Sequence, residues 1–291
     1  MRCSPGEKRY NFAGNDRALH KACAIRNGIQ MRLATIRKEH ESGNLPVRRA
    51  IYSSQLPVLG RAGQNRLRSA SIHVSATGRL GMQVIFASAA AGVGRISSND
   101  PQVIEDENFG SFIFCRRPDI GRQKTLVLAR FLDGIPGLEF DGLGIGTESN
   151  AVDPLIARSD LVVSCANTLS GRLAAERKAI QYGKPVLQVA AYDGRERLGG
   201  VITLRRPENP EGACFGCYFP DDRTFPRGEG LLSTVTTMLA AMAANIAVQV
   251  LSGVHSEFIS KHNFFSIDLE RYRIEALAVE RRKGCEICER G

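Results

Sequence analysis

The 291-residue chain is predicted to fold as a doubly wound, mainly parallel α/β sheet, with antiparallel C-terminal strands and an N-terminal helical extension. Two strand, helix, strand units carry the parallel part: "ASIHV" to "RISSN" around a helix "RLGMQVIFASAAAG", and "DLVVSC" to "KPVLQVA" around a helix over 170–182. A glycine turn between the first strand and its helix is the third observation. Later "GGVITLRR", "FFSIDL" and "YRIEALAVE" alternate as strands of an antiparallel edge.

In chain order, residues 15–43 form an amphipathic helix, because Leu19, Ala22, Ile25, Ile29, Leu33 and Ile36 recur at steps of three or four. Asn15 or Asp16 caps its start, "SGN" ends it, and its polar face is basic. It is either an ordinary packing helix or an arm that docks a partner. Residues 1–50 are set apart as this basic extension and 51–291 as the main domain. "RAGQNRLRS" then leads as a helix into the first strand. The stretch from Leu231 to Leu251 carries no charge and is long enough to cross a bilayer. Its Ala, Thr, Asn245 and Gln249 make it a buried helix of a soluble protein, with no membrane partner expected.

Thirty-nine Lys and Arg against 30 Asp and Glu give a net charge of +9. Such a balance suits an acidic partner, but there is no Trp and few aromatics lie among the charges, so no stacking platform for bases is built and nucleic acid is not expected. "MRCSPGEKRY" lacks the apolar core of a secretory signal. The eight cysteines are therefore read as thiols of a reducing cytoplasm, where they bind metal or do chemistry.

"ATGRLG", Ala76 to Gly81, sits between strand and helix as an AxGxxG turn. Glycine there lets the main chain approach phosphates, and the helix start turns free N–H groups toward them. Asp100 follows the second strand, where a carboxylate binds ribose hydroxyls. Ala76, Gly78, Gly81 and Asp100 are thus candidate nucleotide contacts, against the alternative of a nucleotide-free turn. The methyl of Ala76, in place of the first glycine, is expected to weaken affinity.

Cys214 and Cys217 in "CFGCYFP" are matched by Cys285 and Cys288 in "GCEIC". Two Cys-x-x-Cys knuckles supply four thiolates for a closed tetrahedral Zn²⁺ site, tying the tail to the body. A redox pair, which belongs at a helix start near the first βαβ unit, and unrelated core thiols are the alternatives.

Together these pieces resemble the ThiF/MoeB/HesA and ubiquitin-activating superfamily over 51–291. "YSSQLPVLGRAGQNRL", "AAAGVGRI", Asn108 in "EDENFG", Lys124 in "DIGRQK", "DLVVSCANT" and "YGKPVL" complete the match. The resemblance implies a Rossmann-like fold and a dimer, with itself or a paralogue. It implies binding of ATP and Mg²⁺ and adenylation of the C-terminal carboxylate of a small β-grasp protein or peptide. It assigns Asp100 to the ribose, and Asn108 and Lys124 to the triphosphate.

The departures fall where charge is expected. Ser54 and Ser111 stand at arginine positions of the family pattern, Asn167 at the aspartate that holds Mg²⁺, and Ser164 at an earlier acid. Asp221, Asp222 or Glu105 are candidate replacements for the acid, and Arg79 or Arg122 for the arginines. No cysteine lies between Cys217 and Cys285, which limits the expected reaction to the acyl-adenylate. Two readings stay open: an adenylating enzyme and a zinc-stabilised scaffold whose catalysis is lost. A nicotinamide oxidoreductase shares the turn but gains nothing from four thiolates.

Overall fold

The structure, a computed structural model, describes residues 51–112, 114–220 and 230–288. The basic helix expected over 15–43, and Asp221 and Asp222, lie outside the described residues. The chain divides into two units, 1–58 and 59–291. In the first, Ser54 is exposed.

The described α-helices and strands are α1 (Leu56–Ser69, interrupted at Gly60), β1 (Ser71–Ser75), α2 (Arg79–Ala91), β2 (Arg95–Asn99), α3 (Lys124–Leu132), β3 (Glu139–Leu143), α4 (Asp153–Ala157), β4 (Leu161–Ser164), α5 (Leu169–Gln181), β5 (Val186–Ala191), β6 (Gly199–Arg205), α6 (Phe215–Tyr218), α7 (Ser233–Ser252), α8 (Glu257–Lys261), β7 (Phe264–Asp268) and β8 (Arg273–Leu277). One sheet joins the strands in the order β3-β2-β1-β4-β5-β6-β7-β8. Pairings from β3 through β5 are parallel, and those from β5 to β8 antiparallel. Chain order reverses between β1 and β4, the crevice where open α/β sheets bind ligands.

Every residue of β1 and β4 is buried, as central parallel strands covered on both faces require. On one face Ile72, Val74, Leu161 and Val163 pack with α2 and α7. On the other, Val162 and Val186 pack with Val152, Ile156 and Ala179 from the helices that follow β3 and β4. Helix α7 is the uncharged stretch. It is long and apolar enough to span a bilayer, yet Val235, Leu239, Ala240, Ala243 and Ala247 bury one face in the core, which makes it a core helix.

β3 is absent from the sequence reading. Its residues "EFDGL" are half-exposed or exposed at the sheet edge, so neither a continuous apolar run nor clean alternation marks them.

Candidate active site

The β1–α2 turn shows why each small residue stands where it does. A Cβ on Gly81 would lie 1.9 Å from the Ala76 carbonyl oxygen, so only glycine lets α2 sit this close to β1. Gly78, the N-cap of α2, has nothing within 4 Å of such a Cβ. The helix start therefore faces open space, with Arg79 and no acid in its first turn. Ala76 takes φ 69°, a left-handed conformation that L side chains resist. The consequence of its methyl falls on the backbone as strain, beyond the crowding expected from sequence.

Asp100 is buried at the end of β2. Its Oδ2 accepts from the Thr77 N–H at 2.8 Å and the Thr77 hydroxyl at 3.1 Å, and its Oδ1 accepts from the Gln102 N–H at 2.8 Å. Three donors fill three of about four acceptor positions on a carboxylate, leaving one for a ligand hydroxyl.

Gln102 also joins Asp100 to Lys124. Lys124, buried at the start of α3, donates from Nζ to Gln102 Oε1 at 2.8 Å and lies 5.7 Å from the centroid of the Phe112 ring. Its one charge has a neutral amide and a ring face beside it, an arrangement that leaves the ammonium ready for an anion. Asn108 is held by a capping box: its Oδ1 accepts from the Glu105 N–H at 2.9 Å, and the Glu105 carboxylate caps the same short turn. The Phe112 N–H donates to the Asn108 carbonyl at 2.7 Å, which sets the ring under Lys124. Asp100, Asn108 and Lys124 are thus linked through Gln102 and Phe112, two residues that sequence reasoning missed.

Ser111 is buried, with its hydroxyl 3.3 Å from that of Ser233 at the start of α7. Arg79 donates to the Leu231 carbonyl at 3.4 Å, while Arg122 is exposed. Ser164, at the end of β4, is buried without a partner for its hydroxyl. Asn167 is exposed in the turn that follows.

A carboxylate does approach this turn, and it is one the sequence did not announce. A Cβ placed on Gly171 would lie 3.2 Å from Ala166 Cβ and 3.8 Å from Glu148 Oε1. Glu148 arrives on the loop after β3, which crosses the carboxyl ends of the strands. The Asn167 amide oxygen and the Glu148 carboxylate are both hard oxygen donors of the kind Mg²⁺ takes.

Against Leu173 and Ile180 of α5 the two knuckles meet. Cys214 Sγ lies 3.6 Å from both Cys217 Sγ and Cys285 Sγ, and Cys217 Sγ lies 3.6 Å from Cys288 Sγ. All four sulfurs fall within 4.8 Å of one another. A tetrahedron with Zn–S bonds of about 2.3 Å has edges of about 3.8 Å, whereas a disulfide needs about 2.05 Å. The spacing fits tetrahedral thiolates and excludes bonded pairs.

Burial, then the nearby Glu176 and the other sulfurs, push the Cys214 thiol up. Burial also raises the Cys285 thiol, but hydrogen bonds from the Cys288 and Ile287 N–H groups and from the Cys217 and Cys214 sulfurs together outweigh it and bring it down. A central cation would resolve this crowding of incipient charge by taking all four as thiolates. The tail is zipped to the body beside them: the Ala213 N–H donates to the Val279 carbonyl at 2.9 Å and the Arg281 N–H to the Glu211 carbonyl at 2.7 Å.

Outside the quartet, burial pushes the Cys165 thiol up to about 12 and the Cys115 thiol up to about 11. Among the described residues neither is poised as a nucleophile.

The ThiF family model matches residues 52–287. Protein HesA, heterocyst, of Trichormus variabilis is 27% identical over 241 residues, covering 81% of this chain and 87% of that protein. The sulfur carrier protein ThiS adenylyltransferase of Escherichia coli is 24% identical over 243 residues, covering 81% and 94%. Among solved structures, E. coli MccB with ATP superposes with a TM-score of 0.67 at 18% identity, covering 82% of this chain and 74% of that one.

Proposed function

Because the chain belongs to the ThiF family, we propose that it binds ATP and adenylates the C-terminal carboxylate of a small β-grasp protein or peptide. The observation that carries the reading is the linked trio Asp100, Gln102 and Lys124 beside an open helix start at Gly78. ATP fits the residues present. The N–H groups at the start of α2 face open space for phosphate, Asp100 keeps one acceptor position for a ribose hydroxyl, and Lys124 is buried beside neutral neighbours.

In the reaction a carboxylate oxygen of the client bonds the α-phosphorus as the bond to the departing pyrophosphate breaks. Charge grows on that pyrophosphate, and a fixed ammonium such as Lys124 stabilises it most where water is excluded. Asn108 shapes the same wall. Mg²⁺ would add positive charge to the phosphates, and Asn167 with Glu148 would hold it. With serines at 54 and 111, Lys124 and the helix start carry more of the anion binding than two added guanidinium groups would leave them.

The four cysteines are read as a structural Zn²⁺ site, since a closed thiolate tetrahedron leaves no open position for catalysis. Thiols at this spacing also support a reducing, cytoplasmic setting. We also read the chain as a dimer, with itself or a paralogue, that carries a basic extension over residues 1–50. The extension suits an acidic client by charge. The scaffold reading is not favoured, because Asp100, Gln102 and Lys124 lie linked beside the open helix start.

The test is ATP–pyrophosphate exchange with purified protein, Mg²⁺ and candidate clients. Exchange that falls at least a hundredfold in Lys124→Met supports the reading. No ATP binding and no exchange with any client would overturn it.

A further inference from the structure

A buried polar chain lies behind the nucleotide edge, and no step above uses it. His73, on β1, is fully buried. Its Nδ1 lies 3.0 Å from Ser97 Oγ and its Nε2 lies 3.0 Å from Asn99 Oδ1, both on the neighbouring β2. Asn99 in turn donates from Nδ2 to the Ile145 carbonyl at 3.0 Å and to Thr147 Oγ1 at 3.1 Å. An amide that donates through its nitrogen offers its oxygen only as acceptor. His73 therefore carries its proton on Nε2 and accepts from the Ser97 hydroxyl at Nδ1. The chain runs one way, from Ser97 through His73 and Asn99 into the loop after β3.

That loop, 144–149, is fixed at its other end as well, where Lys178 Nζ donates to the Ser149 carbonyl at 3.2 Å. Its first part lies at the carboxyl end of β3, directly beyond Asp100, whose N–H donates to the Leu143 carbonyl at 3.0 Å. On the ATP reading, phosphates sit at the β1–α2 turn and the ribose at the end of β2. Strands are about 4.8 Å apart, so a nucleotide laid in that direction brings its base onto the loop after β3.

We propose that His73 is a positioning residue for the nucleotide base, acting through Asn99 on the main chain at Ile145 to Thr147. This rests on the ATP reading. The Ile145 carbonyl is tied inward to Asn99. The following peptide bond is trans, so the Gly146 N–H points opposite to that carbonyl, away from Asn99, and on the ATP reading the base lies on that side. A fixed N–H donor pairs with the acceptor nitrogen N1 of adenine and opposes the N1–H donor of guanine. The chain thus selects ATP over GTP, and His73 sets the direction of that donor.

The experiment compares binding of ATP, GTP and inorganic tripolyphosphate to the full chain and to His73→Leu, His73→Gln and Thr147→Val. Hydrogen exchange across 144–149 is followed without ligand. His73→Leu is expected to weaken ATP binding about tenfold, lower the ATP-to-GTP ratio by the same factor, leave tripolyphosphate unchanged and speed exchange in the loop. His73→Gln, which can still donate to Asn99, restores the ratio. Thr147→Val carries the test if His73→Leu does not fold. Wild-type ATP binding with an unchanged ATP-to-GTP ratio in the leucine and valine variants overturns this inference alone. Absence of ATP binding by the wild type overturns the ATP reading, and this inference with it.

Discussion

Thr77 donates twice to one oxygen of Asp100, through its main-chain N–H at 2.8 Å and its hydroxyl at 3.1 Å. The acid is thereby aimed, and the glycine turn is bound to the end of β2. Asp100→Asn replaces one acceptor oxygen with an NH₂ facing a donor, so one main-chain N–H loses its partner. Stability is expected to fall by about 1–2 kcal/mol, and ATP affinity about tenfold. Chemical denaturation and calorimetric titration check the two effects, and wild-type values for both would show the carboxylate to be idle.

Ala76 and Gly81 make an opposed pair. Ala76→Gly relieves a left-handed alanine at φ 69° but adds freedom to the unfolded chain, so a net gain of about 0.5–1 kcal/mol is expected. Gly81→Ala forces a methyl to within 1.9 Å of the Ala76 carbonyl oxygen. It can be accommodated only by pushing α2 off β1, which is expected to cost about 3 kcal/mol or more and to abolish nucleotide binding. Thermal melts of both proteins measure the contrast. A destabilised Ala76→Gly would mean that the methyl contributes packing worth more than the strain.

β4 and β5 were legible because burial on both faces makes them nearly continuous apolar runs, and β1 and β4 fall where "ASIHV" and "DLVVSC" predict. The cysteine quartet was legible because Cys-x-x-Cys is short-range chemistry repeated, and the fold had only to bring the halves together. Edge strand β3 was not, since a half-exposed strand containing Gly142 has no pattern of its own. The contacts missed are those that topology creates. Glu148 reaches the Asn167 turn only because the loop after β3 crosses the strand ends. Gln102 matters only as the bridge from Asp100 to Lys124. His73, Ser97 and Asn99 look in sequence like polar breaks in two strands, and become a chain only once β1 and β2 pair in register.

Cys288→Ala leaves three sulfurs and a tail held to the body by the short pairing at Val279 to Arg281. A structural zinc site supplies folding free energy outright. The wild type should therefore contain about one zinc per chain, and the variant should lose the metal and melt about 10 °C lower. Trypsin should cut first in the variant at Arg281 to Lys283, next to the freed knuckle. A metal-free wild type that melts unchanged in strong chelator would overturn the assignment.

Acid sensitivity follows from His73. Burial is the main cause that lowers it from 6.5 to about 4, with the nearby Arg158 adding to the shift, while the Asn99 hydrogen bond and Asp141 oppose it. The unfolded chain thus binds a proton below pH 6.5 that the folded protein refuses until about pH 4. The stability tied to neutral His73 is fully present above pH 6.5 and is lost as the pH falls toward 4. Between pH 7 and pH 5 the loss amounts to about 2 kcal/mol. Glu176 acts in the opposite sense, since burial raises it from 4.5 to about 6, against hydrogen bonds from Gln188 and Phe215. Its contribution is present below pH 4.5 and fades as the pH rises through 6. That offset is common to wild type and His73→Gln, so the difference between them isolates the histidine. Denaturation at pH 7, 6 and 5 should show the wild type losing ground to His73→Gln by about 2 kcal/mol, while parallel curves would place the proton elsewhere.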